Sequence, residues 1–193
     1  MSLLPANDPG CSCGSRRSFL TRIVLCLPAL AVSGQSAGAV DVPVVERKLH
    51  LLNTHTGEEL DARYFVDGHY DPQQLGALDW LLRDYRSSEV LAMDSRLFDL
   101  LYELAQAAGL EPRYEIVSGY RSPATNAMLV ATTDGVSSHS LHMEGRAIDV
   151  RLAGLPVIAL RDLALAKQAG GVGYYPVSDF VHLDTGRVRS WSG

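Results

Sequence analysis

A histidine and an aspartate seven residues apart, His142 and Asp149, stand in the run Ser140-Leu141-His142-Met143-Glu144-Gly145-Arg146-Ala147-Ile148-Asp149. An imidazole nitrogen and a carboxylate oxygen form a donor pair that a borderline ion such as zinc accepts. A catalytic zinc site takes three protein ligands and keeps its fourth position for water. The third donor is expected downstream at His182, in Phe180-Val181-His182-Leu183-Asp184. There apolar and polar residues alternate as in a half-buried strand, so Val181 and Leu183 face a core while His182 and Asp184 share the opposite face. The run Ala147 to Leu152 alternates in the same way, with Ile148, Val150 and Leu152 on one face and Asp149 on the other. Two strands would each present one ligand. Taken singly, such a histidine is more often packed or solvated than ligating.

Further runs lie in a fixed order around this trio: Asn53-Thr54-His55-Thr56-Gly57-Glu58, Ser118-Gly119-Tyr120-Arg121-Ser122-Pro123, and Gly171-Val172-Gly173-Tyr174-Tyr175-Pro176 ahead of Phe180-Val181-His182. Together with Ser-x-His-x-x-Gly-x-Ala-x-Asp they resemble the zinc D-Ala-D-Ala peptidases, which share a fold with hedgehog signalling domains, and within them a bacterial M15-like subfamily. The resemblance covers nearly all of the chain beyond the N-terminal segment. It implies a zinc-dependent murein endopeptidase that hydrolyses amide bonds in the peptide cross-links of peptidoglycan, with Zn2+ on His142, Asp149 and His182. Two other readings stay open: a zinc-containing peptidoglycan-binding module without catalysis, and a D,D-carboxypeptidase that trims stem peptides.

Residue roles follow from the same resemblance. The position three before the last histidine commonly holds the general base; here it is Asp179, an aspartate where glutamate is usual. Asp184 is the alternative base, and is otherwise support that orients an imidazole. Arg121 matches the arginine that stabilises the charged tetrahedral intermediate, a task its fork of donors suits; the alternative is a structural salt bridge. Ser140 either hydrogen-bonds substrate or braces the loop. Gly145 lets the backbone turn sharply between ligands. His50, His55, His69 and His139 have no assigned role, and His139 is expected to face solvent.

These residues need a scaffold. Strand-favouring stretches at Lys48–Asn53 and Leu60–Val66 flank a Thr56-Gly57 turn, which predicts a hairpin. Asp71-Pro72 opens a helix that carries Leu75, Leu78, Leu81, Leu82 and Tyr85 on one face and ends near Arg86. A second helix starts at Asp94-Ser95 and stops at Gly109. A strand at Tyr114–Val117 leads to Arg121, Pro123 opens a short helix, 132–138 is a loop, and Pro156–Gln168 is a longer helix ended by Gly170-Gly171. Short strands at Gly173–Tyr175 and Val181–Leu183 close the sheet. The expected architecture is α+β: a small antiparallel sheet with helices packed on one side, the hedgehog/DD-peptidase-like zinc fold.

The chain has 193 residues, 47% of them hydrophobic, enough for one domain with a true core. Its N-terminus differs in kind. Arg16-Arg17 precedes a short apolar run from Ile23 to Val32, and Ala37-Gly38-Ala39 offers a cleavage site, so residues 1–39 read as a cleavable twin-arginine signal and 40–193 as the catalytic domain, placed in the periplasm. The run is too short for a stable membrane anchor. All three cysteines, Cys11, Cys13 and Cys26, fall in that segment. Without it the chain carries 14 basic side chains against 21 acidic, an acidic balance that argues against nucleic acid as a partner. A monomer acting on cross-linked stem peptides is expected.

Overall fold

The computed structural model describes residues 45–133 and 135–193; the signal expected at residues 1–39 lies outside the described residues. The expected hairpin is present as β1 (Glu46–Asn53) and β2 (Glu59–Val66), antiparallel, with Gly57 in the left-handed region at the turn (φ +72°). A two-residue strand, β3 (His69–Tyr70), follows. Helix α1 (Pro72–Leu81) begins as its sequence dictates: the Asp71 side chain accepts from the backbone N–H of Gln73 and Gln74, and proline takes the first turn. It ends at Leu81, a turn earlier than Arg86, because the Asp84 side chain accepts from the Arg86 N–H and its backbone N–H bonds to Glu89 instead of extending the helix.

Helix α2 (Ser95–Ala108) runs from the Asp94 cap to Gly109 at φ +68°, as expected. Then come β4 (Arg113–Ser118), α3 (Pro123–Thr132), a single 3₁₀ turn (Leu141–Glu144), β5 (Ala147–Leu152), α4 (Val157–Lys167), β6 (Gly171–Tyr175), β7 (Phe180–Asp184) and β8 (Arg189–Ser192).

The eight strands form one sheet in the order β3-β2-β1-β4-β5-β7-β6-β8. It is larger than the local patterns suggest, and mixed: β1 pairs with β4 and β6 with β8 in parallel, while the other pairs are antiparallel. Parallel partners need long crossovers, here through α1 and α2 for the first pair, so neither pairing is visible in a hairpin signal. Leu49, Leu51, Tyr114, Ile116, Ile148, Val150, Leu152, Val181 and Leu183 bury one face of the sheet with Leu78, Leu97, Leu101, Leu104 and Leu160 of the helices and Leu82 just after α1. Burying one such side chain contributes about 1.5–3 kcal/mol, so this layer fixes the strand faces. Helix α3 contributes nothing to that cluster, so the other face of the sheet stays open for chemistry.

Candidate metal centre

The ladder brings the ligands together. Asp149 of β5 stands opposite His182 of β7, Gly173 of β6 is the next neighbour of His182, and Trp191 of β8 is the neighbour of Gly173. On the far side of β5 a register shift between Ile116 and Ser118 puts Ser118 opposite Asp149. Such a bulge re-aims the side chains beyond it. The result is one lateral row, Ser118–Asp149–His182–Gly173–Trp191, on the face away from the core.

His142 reaches this row from the 3₁₀ turn. Ser140 caps the turn by accepting from the His142 N–H at 3.4 Å, and Gly145 ends it at φ +66°. A Cβ on Gly145 would lie 2.5 Å from the Ala92 carbonyl, so the left-handed backbone and the close approach both require glycine. The segment after β4 grips the same histidine twice: Gly119 O accepts from His142 Nδ1 at 2.7 Å, and the Arg121 N–H donates to His142 O at 3.2 Å.

His142 Nε2, Asp149 Oδ1 and His182 Nδ1 form a triangle with sides of 3.2, 2.8 and 3.2 Å. A tetrahedral ion with bonds near 2.1 Å holds its donors about 3.4 Å apart, so the triangle matches a zinc site to within several tenths of an ångström. All three residues are buried.

The proton positions strengthen the fit. A carbonyl can only accept, so His142 Nδ1 bears the hydrogen and Nε2 is bare. His182 Nε2 meets Asp184 Oδ2 at 3.0 Å, and that carboxylate also accepts from Arg189 Nη2 (2.7 Å) and Nη1 (3.0 Å) and from the N–H groups of Gly171 and Gly186. Nε2 therefore donates and Nδ1 is bare. The other oxygen of Asp149 accepts from Arg121 Nη2 at 2.7 Å. With both imidazoles neutral in these tautomers, three lone pairs face one another, an arrangement that a cation satisfies in place of the proton His182 otherwise holds toward Asp149.

Charge agrees with this. Burial pushes the His142 imidazole below its ordinary value and so favours the neutral form that ligates. Burial alone would raise the Asp149 carboxyl, but the two histidines hold it well below the usual range. The Asp184 carboxyl is likewise depressed: burial opposes this, and the His182 and Arg189 donors outweigh it. Burial would lower His182, yet Asp149 and Asp184 raise it. A proton and a metal compete for its Nδ1.

The triad lies at the floor of a groove of about 530 Å³. Tyr175, Phe180 and Trp191 line it from the sheet, and Val136, Ser137 and His139 from the loop after α3. Arg121 lines the floor; its Nε donates to Ser118 Oγ at 2.9 Å, and its Nη1 makes no hydrogen bond to the described residues. Ser140 is a groove residue as well as a cap, and His139 is exposed at the groove.

Neither carboxylate considered as a base lines the groove. Asp184 is fully buried behind His182. Asp179, at φ +53°, lies exposed in the β6–β7 turn with its carboxylate 3.4 Å from Arg151 Nε. His50 pairs with Asp61, His55 stacks on Tyr85, and His69 is exposed; none of them joins the cluster of His142, Asp149 and His182. Sequence reasoning missed Arg189 and Trp191, whose short polar strand has no apolar alternation to announce it.

The Peptidase_M15_2 family, described as peptidoglycan L,D-endopeptidase MepK, matches residues 42–191. The probable peptidoglycan L,D-endopeptidase MepK of Haemophilus influenzae is 43% identical over 148 residues, covering 76% of this chain and 80% of that protein. Peptidoglycan L,D-endopeptidase MepK of Escherichia coli K12 is 40% identical over 171 residues, covering 84% and 94%, and the Shigella flexneri protein of that name gives the same values. No solved structure matches.

Proposed function

The chain belongs to the Peptidase_M15_2 family, and from that premise we propose that it is a zinc-dependent endopeptidase that hydrolyses amide bonds in the peptide cross-links of peptidoglycan. Because its relatives are named L,D-endopeptidases, the bond cut is inferred to be an L,D amide. The observation that carries the zinc reading is the convergence of three donor atoms, His142 Nε2, Asp149 Oδ1 and His182 Nδ1, with the far nitrogen of each imidazole held by Gly119 O or Asp184. Zinc bound there supplies Lewis acidity toward a peptide carbonyl and lowers the pKa of a water.

The remaining steps belong to the chain's own side chains. Gly119 and Asp184 hold the two imidazoles in their ligating tautomers. Arg121 holds Asp149 with one Nη and keeps its other for the carbonyl oxygen that gains charge, a donor worth about 10²–10³-fold in rate. Asp184 acts as the support of His182 and not as the base, since both of its oxygens are taken.

Asp179 is the proposed base. Arg151 follows Asp149 by two residues on β5, so it stands on the same sheet face about 7 Å away and holds Asp179 on the side where the reaction takes place. Ser178 and Phe180, on either side of Asp179, already line the groove. The exposed ion pair that must open to admit its carboxylate is worth at most about 1 kcal/mol. We also propose export to the periplasm through Arg16-Arg17; replacing both by lysine should leave precursor in the cytoplasm, and normal processing would refute it.

Cross-linked muropeptides digested with the purified protein, with and without chelator, test the main reading by mass spectrometry. Loss of cross-linked species that stops with chelator and returns with zinc supports it. Binding without cleavage by the zinc-loaded protein refutes it in favour of a binding module.

A further inference from the structure

Two glycines of β6 leave a lane without side chains on the site face of the sheet. Gly173 lies between His182 and Trp191 in the two ladders, and a Cβ on it would come within 2.6 Å of the indole. Gly171 pairs with Arg189, and a Cβ there would collide with both the Arg189 guanidinium and the Asp184 carboxylate. Adjacent strands are about 4.8 Å apart, so a residue on β8 stands nearly 10 Å from β7. Only long side chains crossing an empty lane can span that gap.

Arg189 crosses it as a two-pronged fork, Nη1 to Asp184 Oδ1 at 3.0 Å and Nη2 to Asp184 Oδ2 at 2.7 Å. Trp191 crosses it with its ring 5.1 Å from that of His182. The indole is itself fixed, since its Nε1–H donates to Tyr175 Oη at 2.9 Å and the Arg189 guanidinium lies over it at 4.9 Å. His182 is thus held at Nε2 through Asp184 and along its ring by the indole.

This restraint answers a physical need. The torsion that turns an imidazole about its Cβ–Cγ bond is broad, so the side chain does not by itself choose which nitrogen meets the metal. A fully buried carboxylate also needs paired, charge-assisted donors if it is to remain ionised. We propose that Arg189 and Trp191 are positioning residues of the metal centre, acting across Gly171 and Gly173 to lock Asp184 and His182 in the pose that turns Nδ1 toward Asp149 and His142. The proposal rests on the zinc-peptidase reading of the site.

Zinc dissociation constants, measured by competition with a chromophoric chelator, test it for the unmodified chain, Arg189→Ala, Arg189→Lys and Trp191→Ala, with folding checked by circular dichroism. Removing an outer partner of a ligand typically costs 10–100-fold in metal affinity, the loss expected for Arg189→Ala. Arg189→Lys keeps the charge but not the fork and should fall in between. In a Trp80→Phe background Trp191 is the only indole; its emission should change with zinc and saturate at one equivalent. Trp191→Ala at saturating zinc should raise KM more than it lowers kcat, because the ring also lines the groove.

Folded Arg189→Ala that binds zinc within twofold of the unmodified chain overturns the proposal. If Arg189→Ala does not fold, Arg189→Lys decides by the same criterion. An unmodified chain that takes up no zinc removes the reading of the site together with the proposal. Zinc uptake by the unmodified chain with equal affinity in the variants removes the proposal alone.

Discussion

Replacing Asp184 by asparagine exchanges a single heavy atom, an oxygen for a nitrogen, yet it should move a proton onto the nitrogen of His182 that faces Asp149. Oδ1 of Asp184 accepts from Gly171 N (3.1 Å), Gly186 N (2.8 Å) and Arg189 Nη1 (3.0 Å), and Oδ2 accepts from His182 Nε2 and Arg189 Nη2. An amide has one oxygen. Placed at Oδ1 it keeps three donors satisfied and sets its NH₂ against His182 Nε2–H and an Arg189 N–H; the other orientation sets NH₂ against three donors. The first is favoured, and His182 relieves the clash by moving its hydrogen to Nδ1, the atom required by the metal.

Outer-partner substitutions of this kind cost about 10–100-fold in metal affinity, or about 1.4–2.7 kcal/mol. Losing charge-assisted bonds in a fully buried position should also lower the stability of the metal-free protein by about 1.5–3 kcal/mol. Chelator competition at fixed pH measures the first quantity and urea unfolding in chelator the second. At saturating zinc the turnover of the variant should stay within about tenfold of the parent. Folded Asp184→Asn protein that binds zinc as tightly as the parent would show that Asp184 does not set the His182 tautomer, and the argument from converging lone pairs would lose one of its three atoms.

Asp179→Asn and Arg121→Ala, assayed on cross-linked muropeptides at full zinc occupancy, should lose about 10²–10⁴-fold and 10²–10³-fold in turnover; unchanged turnover in Asp179→Asn rules out Asp179 as the base. Gly119→Ala puts a Cβ 2.9 Å from that of Leu82 and closer still to the Leu82 carbonyl, and should cost about 1–3 kcal/mol in urea unfolding while weakening zinc, because the Gly119 carbonyl holds His142. Burial would raise the Asp84 carboxyl, but hydrogen bonds from Thr125, Ser122 and Arg86 hold it at about 2. With an unfolded value near 3.9 it stabilises the fold by about 2–3 kcal/mol, in full above about pH 4 and lost as pH falls toward 2. Asp84→Asn, unfolded by urea in chelator, should therefore be less stable at pH 7 and nearly equal to the parent near pH 2; an equal gap at both pH values refutes the assignment.

Much of the site was legible because its signals are local. Alternation in Ala147–Leu152 and Phe180–Asp184 put Asp149 and His182 on the face away from the core before any pairing was known, and the ladder places them opposite each other. Helix starts at Asp71-Pro72 and Asp94 and the stop at Gly109 were equally plain, since a cap is written within a few residues. What escaped depends on distant partners. The parallel pairings of β1 with β4 and β6 with β8 leave no mark on either strand alone. Trp191 and Arg189 gain meaning only from the bare lane beside them, and the pair that holds Asp179 against Arg151 joins residues 28 positions apart.

The single row of ligands across neighbouring strands also sets where the gene can tolerate gain or loss of a codon. Side chains alternate with a period of two, so deleting one residue within Ala147–Leu152 or Phe180–Asp184 would turn Asp149 or His182 inward and bring a leucine, valine or isoleucine to the candidate metal site. A change of length can be absorbed only outside the row, for instance among residues 135–139 or in the turn from 176 to 179, where groove-lining residues stand. Changes of length at those two places would reshape what the groove admits and leave the candidate ligands where they are.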